Sequence, residues 1–260
     1  LIEMTKGDQS EIQNWINEFR VLCPWYEIRD VVENEEQYSE AMSSYPWNRD
    51  NVKKPDTIDP QNIPTLDGRY WVKSQQELAI ANALFINGVN YEYEKDFNPE
   101  FGDLDFNYNP DFYYPDINLW HEHFAINKDG TSPFKGYKDE VKRKKREHEK
   151  LGINVLYTYS YEFNDDTALD KIFFRLEDLG ITKKPKKQQD IEDRLNYVYK
   201  KDELNKLIRT SIKHGKSSHL SLKSLSEYYK KADDQFRANK FKKFFLPIFK
   251  TYQEYLKENK

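Results

Sequence analysis

Two acidic residues define the chemistry to look for. Asn109-Pro110-Asp111-Phe112 places an aspartate behind a proline, and His121-Glu122-His123 places a glutamate eleven positions later, across a Pro115-Asp116 turn. On neighbouring strands Asp111 and Glu122 would meet on one sheet face. A pair of carboxylates so placed can hold Mg²⁺ (or Mn²⁺), an ion that takes few protein oxygens and keeps several waters. Such an ion polarises a phosphate and makes hydroxide available near neutral pH, the two requirements of phosphodiester hydrolysis. Pro110 fixes the backbone just before the aspartate and removes a donor at the strand end.

The elements that must position these residues are legible between 70 and 160. Ser74-Gln-Gln-Glu77 has the form of a capping box, with Leu78, Ala81, Leu84 and Phe85 on one helix face and Gly88 closing the helix. Val89, Tyr91 and Tyr93 alternate with polar residues as in a strand. Phe106 to Tyr114 and Ile117 to Ile126 read as two more extended segments. A basic helix over 136–151 ends before Gly152, and Ile153 to Tyr159 is a fourth strand. The order α-β-β-β-α-β predicts an α/β fold with a mixed four-stranded sheet. Thr167 is expected to cap a further helix with Leu169, Ile172, Phe173, Leu176 and Leu179 in one stripe. His121 and His123 alternate with Glu122, so they should face away from it and serve packing or hydrogen bonding. From about 43 to 68 the punctuation by Pro46, Pro55, Pro60, Pro64 and Asp67-Gly68 reads as loop.

Pro110-Asp111, Glu122 and the element order around them resemble the PD-(D/E)XK nuclease family over 70–160, about a third of the chain. The resemblance implies a restriction-endonuclease-like core, a Mg²⁺-dependent deoxyribonuclease activity, and a third acid from the first helix, here Glu77. Capping and metal binding by Glu77 do not exclude each other. The family's lysine stands two residues after the second acid, where this chain has Phe124. Many members draw it from the next helix, which points to Lys144, with Lys142 and Lys145 behind it. Lys144 shares a helix face with Tyr137, Val141 and His148. Its role would be to orient the attacking water and offset negative charge on the phosphate.

The wording Ser-x-x-Glu, Asn-Gly-x-x-Tyr-x-Tyr-Glu, Pro-Asp-Phe-Tyr and Glu-His-Phe is similar to the nuclease module embedded in superfamily 1 helicases of the UvrD/Rep and helicase IV type. Phe244-Phe245-Leu246-Pro247-Ile248-Phe249 and Tyr252 through Leu256 are similar to the helix preceding the Walker B region of those enzymes. Ala125 stands where such relatives often have glycine. The resemblance implies DNA (single-stranded or forked duplex) and the rest of a helicase polypeptide as partners. It suggests three segments: a helical N-terminal part and linker over 1–68, a nuclease-like domain over 69–164, and a basic helical, helicase-derived part over 165–260.

Composition agrees with a packed protein. Nineteen Tyr, 16 Phe and 5 Trp supply large buried areas in 260 residues, and one cysteine excludes a disulfide framework or a cysteine-based zinc site. No apolar run is long enough for a membrane span, and a cytoplasmic protein is expected. From Lys183 onward 21 Lys and Arg face 10 Asp and Glu, a charge of +11 against −15 for 1–182. That asymmetry suits a nucleic-acid backbone, and also a set of solvated lysine-rich helices. The opening at Leu1 and the uncapped helical close at Lys260 suggest an excised internal region, with residues 1–40 and 165–260 packing together. Gly215-Lys216-Ser217 is a decoy, because a phosphate loop needs glycine where Thr210 stands. Two classes stay open: a working nuclease module, and a degenerate nuclease fold that grips DNA or docks a partner.

Overall fold

A computed structural model describes residues 9–24, 62–97, 108–198, 202–232 and 234–259. The chain divides into two compact units, one drawn from 1–58 and 189–260 and the other from 59–188. Helix α1 (Gln9–Leu22), in the first unit, buries Ile12, Ile16 and Phe19 at helical spacing.

The second unit opens with a hairpin where the sequence reads as loop. Most of 43–68 lies outside the described residues, but its end forms β1 (Ile63–Pro64), paired antiparallel with β2 (Trp71–Val72). Gly68 supplies the positive φ of the turn, at 72°. Asp67 ties the turn down by accepting from the Thr65 hydroxyl, Arg69 Nε and the Tyr91 hydroxyl. Helix α2 (Gln75–Ile86) then starts at Ser74, whose Oγ accepts the Glu77 amide at 3.1 Å. The Glu77 carboxylate reaches one residue further back than a capping box requires, to the Lys73 amide at 3.0 Å. Gly88 ends the helix at φ 66°, and a β-carbon there would run into the Lys184 carbonyl. The charged run Lys183-Lys-Pro-Lys-Lys187 is fastened at this point, its Lys184 and Lys186 amides donating to the Asn87 and Ile86 carbonyls at 2.8 Å.

Strands β3 (Glu92–Tyr93), β4 (Phe112–Tyr114), β5 (Leu119–Phe124) and β6 (Val155–Tyr159) form the expected mixed four-stranded sheet, in the order β3-β4-β5-β6. The first two pairings are antiparallel and the last parallel. The strands are shorter than the extended segments read from sequence, and Phe106 lies outside the described residues. Pro115–Ile117 make one turn of 3-10 helix between β4 and β5. The parallel step from β5 to β6 needs a crossover, which helix α3 (Tyr137–Leu151) provides before Gly152 stops it at φ 64°.

Period-two alternation assigns the faces of β5. Trp120, Glu122 and Phe124 share the face that α3 covers, while His121 and His123 point the other way. There His121 Nε2 and His123 Nδ1 share the Thr158 hydroxyl at 2.8 and 2.9 Å, and Gln76 of α2 meets His123 Nε2 at 2.7 Å. Burial pushes both imidazoles down, His123 to about 3, so this network is neutral.

Helix α4 (Ser160–Asn164) and helix α5 (Ala168–Asp178) complete the unit. The Thr167 hydroxyl donates to the Glu162 carbonyl at 3.2 Å instead of capping α5. Helix α5 buries Ala168, Ile172 and Leu176 and packs on β6, so 165–188 goes with the sheet rather than with the C-terminal helices. The division therefore falls at 58/59 and 188/189, where the sequence pattern suggests 68/69 and 164/165. Apolar periodicity gives α5 a buried stripe but does not say which body receives it.

The first unit resumes with α6 (Gln188–Val198), α7 (Asp202–Ser217), α8 (Leu222–Tyr229) and α9 (Gln235–Glu258). Phe241, Phe244, Phe245 and Phe249 line the buried side of α9, and Phe19 of α1 meets the Phe244 ring edge-on at 5.4 Å. Gly215-Lys216-Ser217 is the last turn of α7. The Phe249 ring occupies the place a β-carbon on Gly215 would take, so this glycine serves helix packing.

Candidate active site

Pairing of Phe112 with His121 sets the register of β4 and β5, and the next step of that register puts Asp111 opposite Glu122. Asp111 Oδ2 accepts the His123 amide at 2.6 Å, which fastens the aspartate to the edge of β5. Glu122 is 1% exposed. Its Oε1 accepts from the Tyr108 hydroxyl, and Lys144 Nζ lies 3.3 Å from its Oε2. Lys144 comes from the face of α3 that also carries the buried Val141 and His148, as the four-residue spacing requires. Of the three candidate lysines only Lys144 arrives here. Lys145 Nζ donates to the Tyr159 hydroxyl at 2.7 Å, and exposed Lys142 pairs with Asp139 at 3.6 Å.

Glu77 is drawn to the same place from α2. Besides its cap contacts it accepts the Tyr93 hydroxyl at 2.6 Å, and its charge is the strongest acting on Asp111. Three side chains that sequence pattern does not assign to the site join it. Lys73 donates to Glu94, and Glu94 sits at φ 47°, an uncommon conformation for glutamate, with its amide on the Asp111 carbonyl at 3.0 Å. Tyr108 packs in the buried cluster with Phe97, Tyr113 and Trp120, and its hydroxyl also reaches Glu122. A cavity of about 320 Å³ opens beside these groups, lined by Lys73, Glu94, Tyr108, Asn109, Glu140, Arg143 and Lys144. Glu94 closes the Asn-Gly-x-x-Tyr-x-Tyr-Glu wording without being given a role by it, and no sequence signal marks Lys73.

Electrostatics of the pair follow from burial. Desolvation raises Asp111 to about 7, the Glu77 and Glu94 charges adding to it while the His123 amide and Lys144 pull it back. Desolvation also raises Glu122 to about 7, with Lys144 opposing and Glu140 and Glu77 reinforcing. For Lys73, burial pulls the ammonium down, but Glu94, Glu77 and Asp111 outweigh it and leave it raised.

Comparison with protein-family models, curated proteins and solved structures gives no match. The site therefore stands on its own chemistry. Among the described residues no three His, Cys, Asp or Glu side chains are gathered closely enough to hold a metal ion. The donor set still suits a hard divalent cation, because Asp111 and Glu122 offer carboxylate oxygens that burial raises to about 7 and that a bound cation would return to the charged form.

Burial of Asp111 predicts a pH-dependent stability difference. In the unfolded chain an aspartate ionises at about 4. Between about 4 and 7 folded Asp111 holds a proton that the unfolded chain has lost, so its contribution to stability is lost as pH rises through 7. Asp111→Asn keeps an oxygen for the His123 amide and cannot ionise. In urea unfolding of metal-free protein, the variant should gain stability relative to wild type between pH 5 and pH 8. A difference that stays flat across that interval would contradict this account of Asp111.

Proposed function

We propose that the 59–188 unit is a metal-dependent DNA nuclease module of the PD-(D/E)XK type, acting within a superfamily 1 DNA helicase polypeptide. One observation carries the reading. Asp111 and Glu122 face each other on paired strands, and the Lys144 ammonium meets Glu122 from the crossover helix that follows. This is the arrangement that the Pro-Asp, Glu and migrated-lysine pattern calls for, in the element order that the family uses.

Asp111 and Glu122 would hold Mg²⁺ or Mn²⁺; Glu77, the third acid that the resemblance implies, is not gathered with them into a three-acid cluster and bears on the pair through its charge on Asp111. Such an ion polarises the phosphate and lowers the pKa of the attacking water. The chain's own groups do the rest. Lys144 offsets negative charge that builds on the phosphate oxygens and orients the water. Lys73 and Arg143, on the cavity wall, give the neighbouring backbone phosphates positive charge to lie against. The helicase part of the proposal rests on the wording of 244–256 and the +11 charge from Lys183 onward. ATP would bind elsewhere in that polypeptide.

A second reading, a degenerate nuclease fold that grips DNA or docks a partner, has one observation in its favour. Glu122 already satisfies its charge with Tyr108 and Lys144, and no three-ligand cluster is present among the described residues. Calorimetric titration with Mn²⁺, paired with incubation on single-stranded and duplex DNA, separates the two. Saturable binding with metal-dependent cleavage is expected. DNA binding with neither metal uptake nor cleavage would select the degenerate fold.

A further inference from the structure

We infer that Tyr108, His148 and Tyr157 form a one-way chain of donors whose work is to position Glu122. The direction follows from counting protons. Tyr108 has one hydroxyl hydrogen, and it goes to Glu122 Oε1. His148 Nε2 lies 2.9 Å from the same phenol oxygen, so that oxygen accepts and Nε2 carries the ring proton. Burial, with Lys144 adding, depresses His148 to about 4, so the ring is neutral near pH 7 and Nδ1 is bare. Nδ1 therefore accepts from the Tyr157 hydroxyl, 2.8 Å away. Every donor in the chain points toward the carboxylate.

The three side chains come from the approach to β4, from α3 and from β6, so the chain joins three elements to one glutamate. Their rings pack against one another, His148 stacked on Tyr157 and tilted against Tyr108. His148 and Tyr157 have centroids 5.8 Å apart at 26°, and Tyr108 and His148 5.6 Å apart at 32°. A buried carboxylate can rotate about its last bond. With Tyr108 donating to Oε1 and the Lys144 ammonium straddling both oxygens, 3.5 Å from Oε1 and 3.3 Å from Oε2, the Glu122 carboxylate is held in one orientation. Outer partners of this kind commonly contribute about 10–100-fold to metal affinity or activity.

The consequence for metal binding rests on the nuclease reading, while the proton arrangement does not. In metal-free protein labelled with ¹⁵N-histidine and held at pH 8–9, where Glu122 is ionised and accepts, His148 should appear as the Nε2–H tautomer with Nδ1 unprotonated. The opposite tautomer would overturn the chain. In Mn²⁺ titrations, Tyr108→Phe should weaken binding roughly 10–100-fold. His148→Gln, whose side-chain amide can replace the Nε2 donor, should bind more tightly than His148→Leu. Full affinity in Tyr108→Phe, with wild type binding normally, would overturn the positioning role and leave the nuclease reading standing. Failure of wild type to take up Mn²⁺ would sink the nuclease reading instead, and the tautomer would then decide the donor chain alone.

Discussion

Asp111→Ala is expected to remove metal-dependent DNA cleavage, by about 1,000-fold or more, which corresponds to roughly 4 kcal/mol of transition-state stabilisation. The magnitude follows from what the aspartate would do. It would be one of two principal holders of the ion, and an ion that is absent or displaced supplies neither phosphate polarisation nor hydroxide. Alanine also removes the acceptor of the His123 amide at 2.6 Å, so the strand edge is disturbed along with the charge. Asp111→Asn separates these effects, because it keeps a hydrogen-bond oxygen while removing the charge. Cleavage of a labelled oligonucleotide should fall in both variants, with the asparagine variant at least as stable as wild type at pH 8. Cleavage that survives undiminished in both would place the chemistry elsewhere.

Asp111 is legible in the sequence because three separate signals coincide there. A proline before it, a turn after it and a glutamate eleven residues on define a hairpin whose register pairs the two acids. The helix boundaries at Ser74, Gly88 and Gly152 are legible for the same kind of reason, since capping chemistry and positive φ restrict residue type. Strand lengths are not. Alternation records which side chains are buried, and Val89, Tyr91 and Tyr93 are all buried although only Glu92–Tyr93 carries ladder bonds. Helix α5 shows the limit in another form: its stripe is plain, but its docking on β6 depends on a partner that sequence spacing does not name.

The site's remaining members are hidden because backbone geometry, not residue pattern, brings them in. Glu94 turns toward Lys73 from a left-handed conformation that a pattern reserves for glycine or asparagine. Lys73 precedes the cap of α2 and carries no periodic signal. Tyr108 and Tyr113 pack in the same buried cluster, and residue type alone does not show that the Tyr108 hydroxyl turns to Glu122. Helical spacing shows His148 as a neighbour of Lys144 on α3. Its role depends on the positions of Tyr108 and Tyr157, one from the approach to β4 and one from β6.

Lys144→Ala is expected to cost about 100-fold in cleavage rate, the usual scale for removing one preorganised positive or donor group from a developing phosphate charge. A second signature distinguishes this role from packing. Lys144 is the cation that offsets burial at Glu122, whose carboxyl is raised to about 7 even with the ammonium 3.3 Å away. Without Lys144 that carboxyl must rise further. Below pH 7 Glu122 is protonated with or without the lysine, so the variant should lose little stability there. Above pH 7 wild-type Glu122 ionises against Lys144, and the variant must either bury an unpaired charge or hold a proton against the solvent. Its stability deficit should therefore open as pH rises from 6 to 9, toward the few kcal/mol, roughly 3–5 at most, typical of a broken buried pair. Lys142→Ala, on the exposed side of the same helix, should show neither the rate loss nor the widening deficit. Equal behaviour of the two variants in urea unfolding and in oligonucleotide cleavage would remove Lys144 from the chemistry and leave the degenerate fold as the better account.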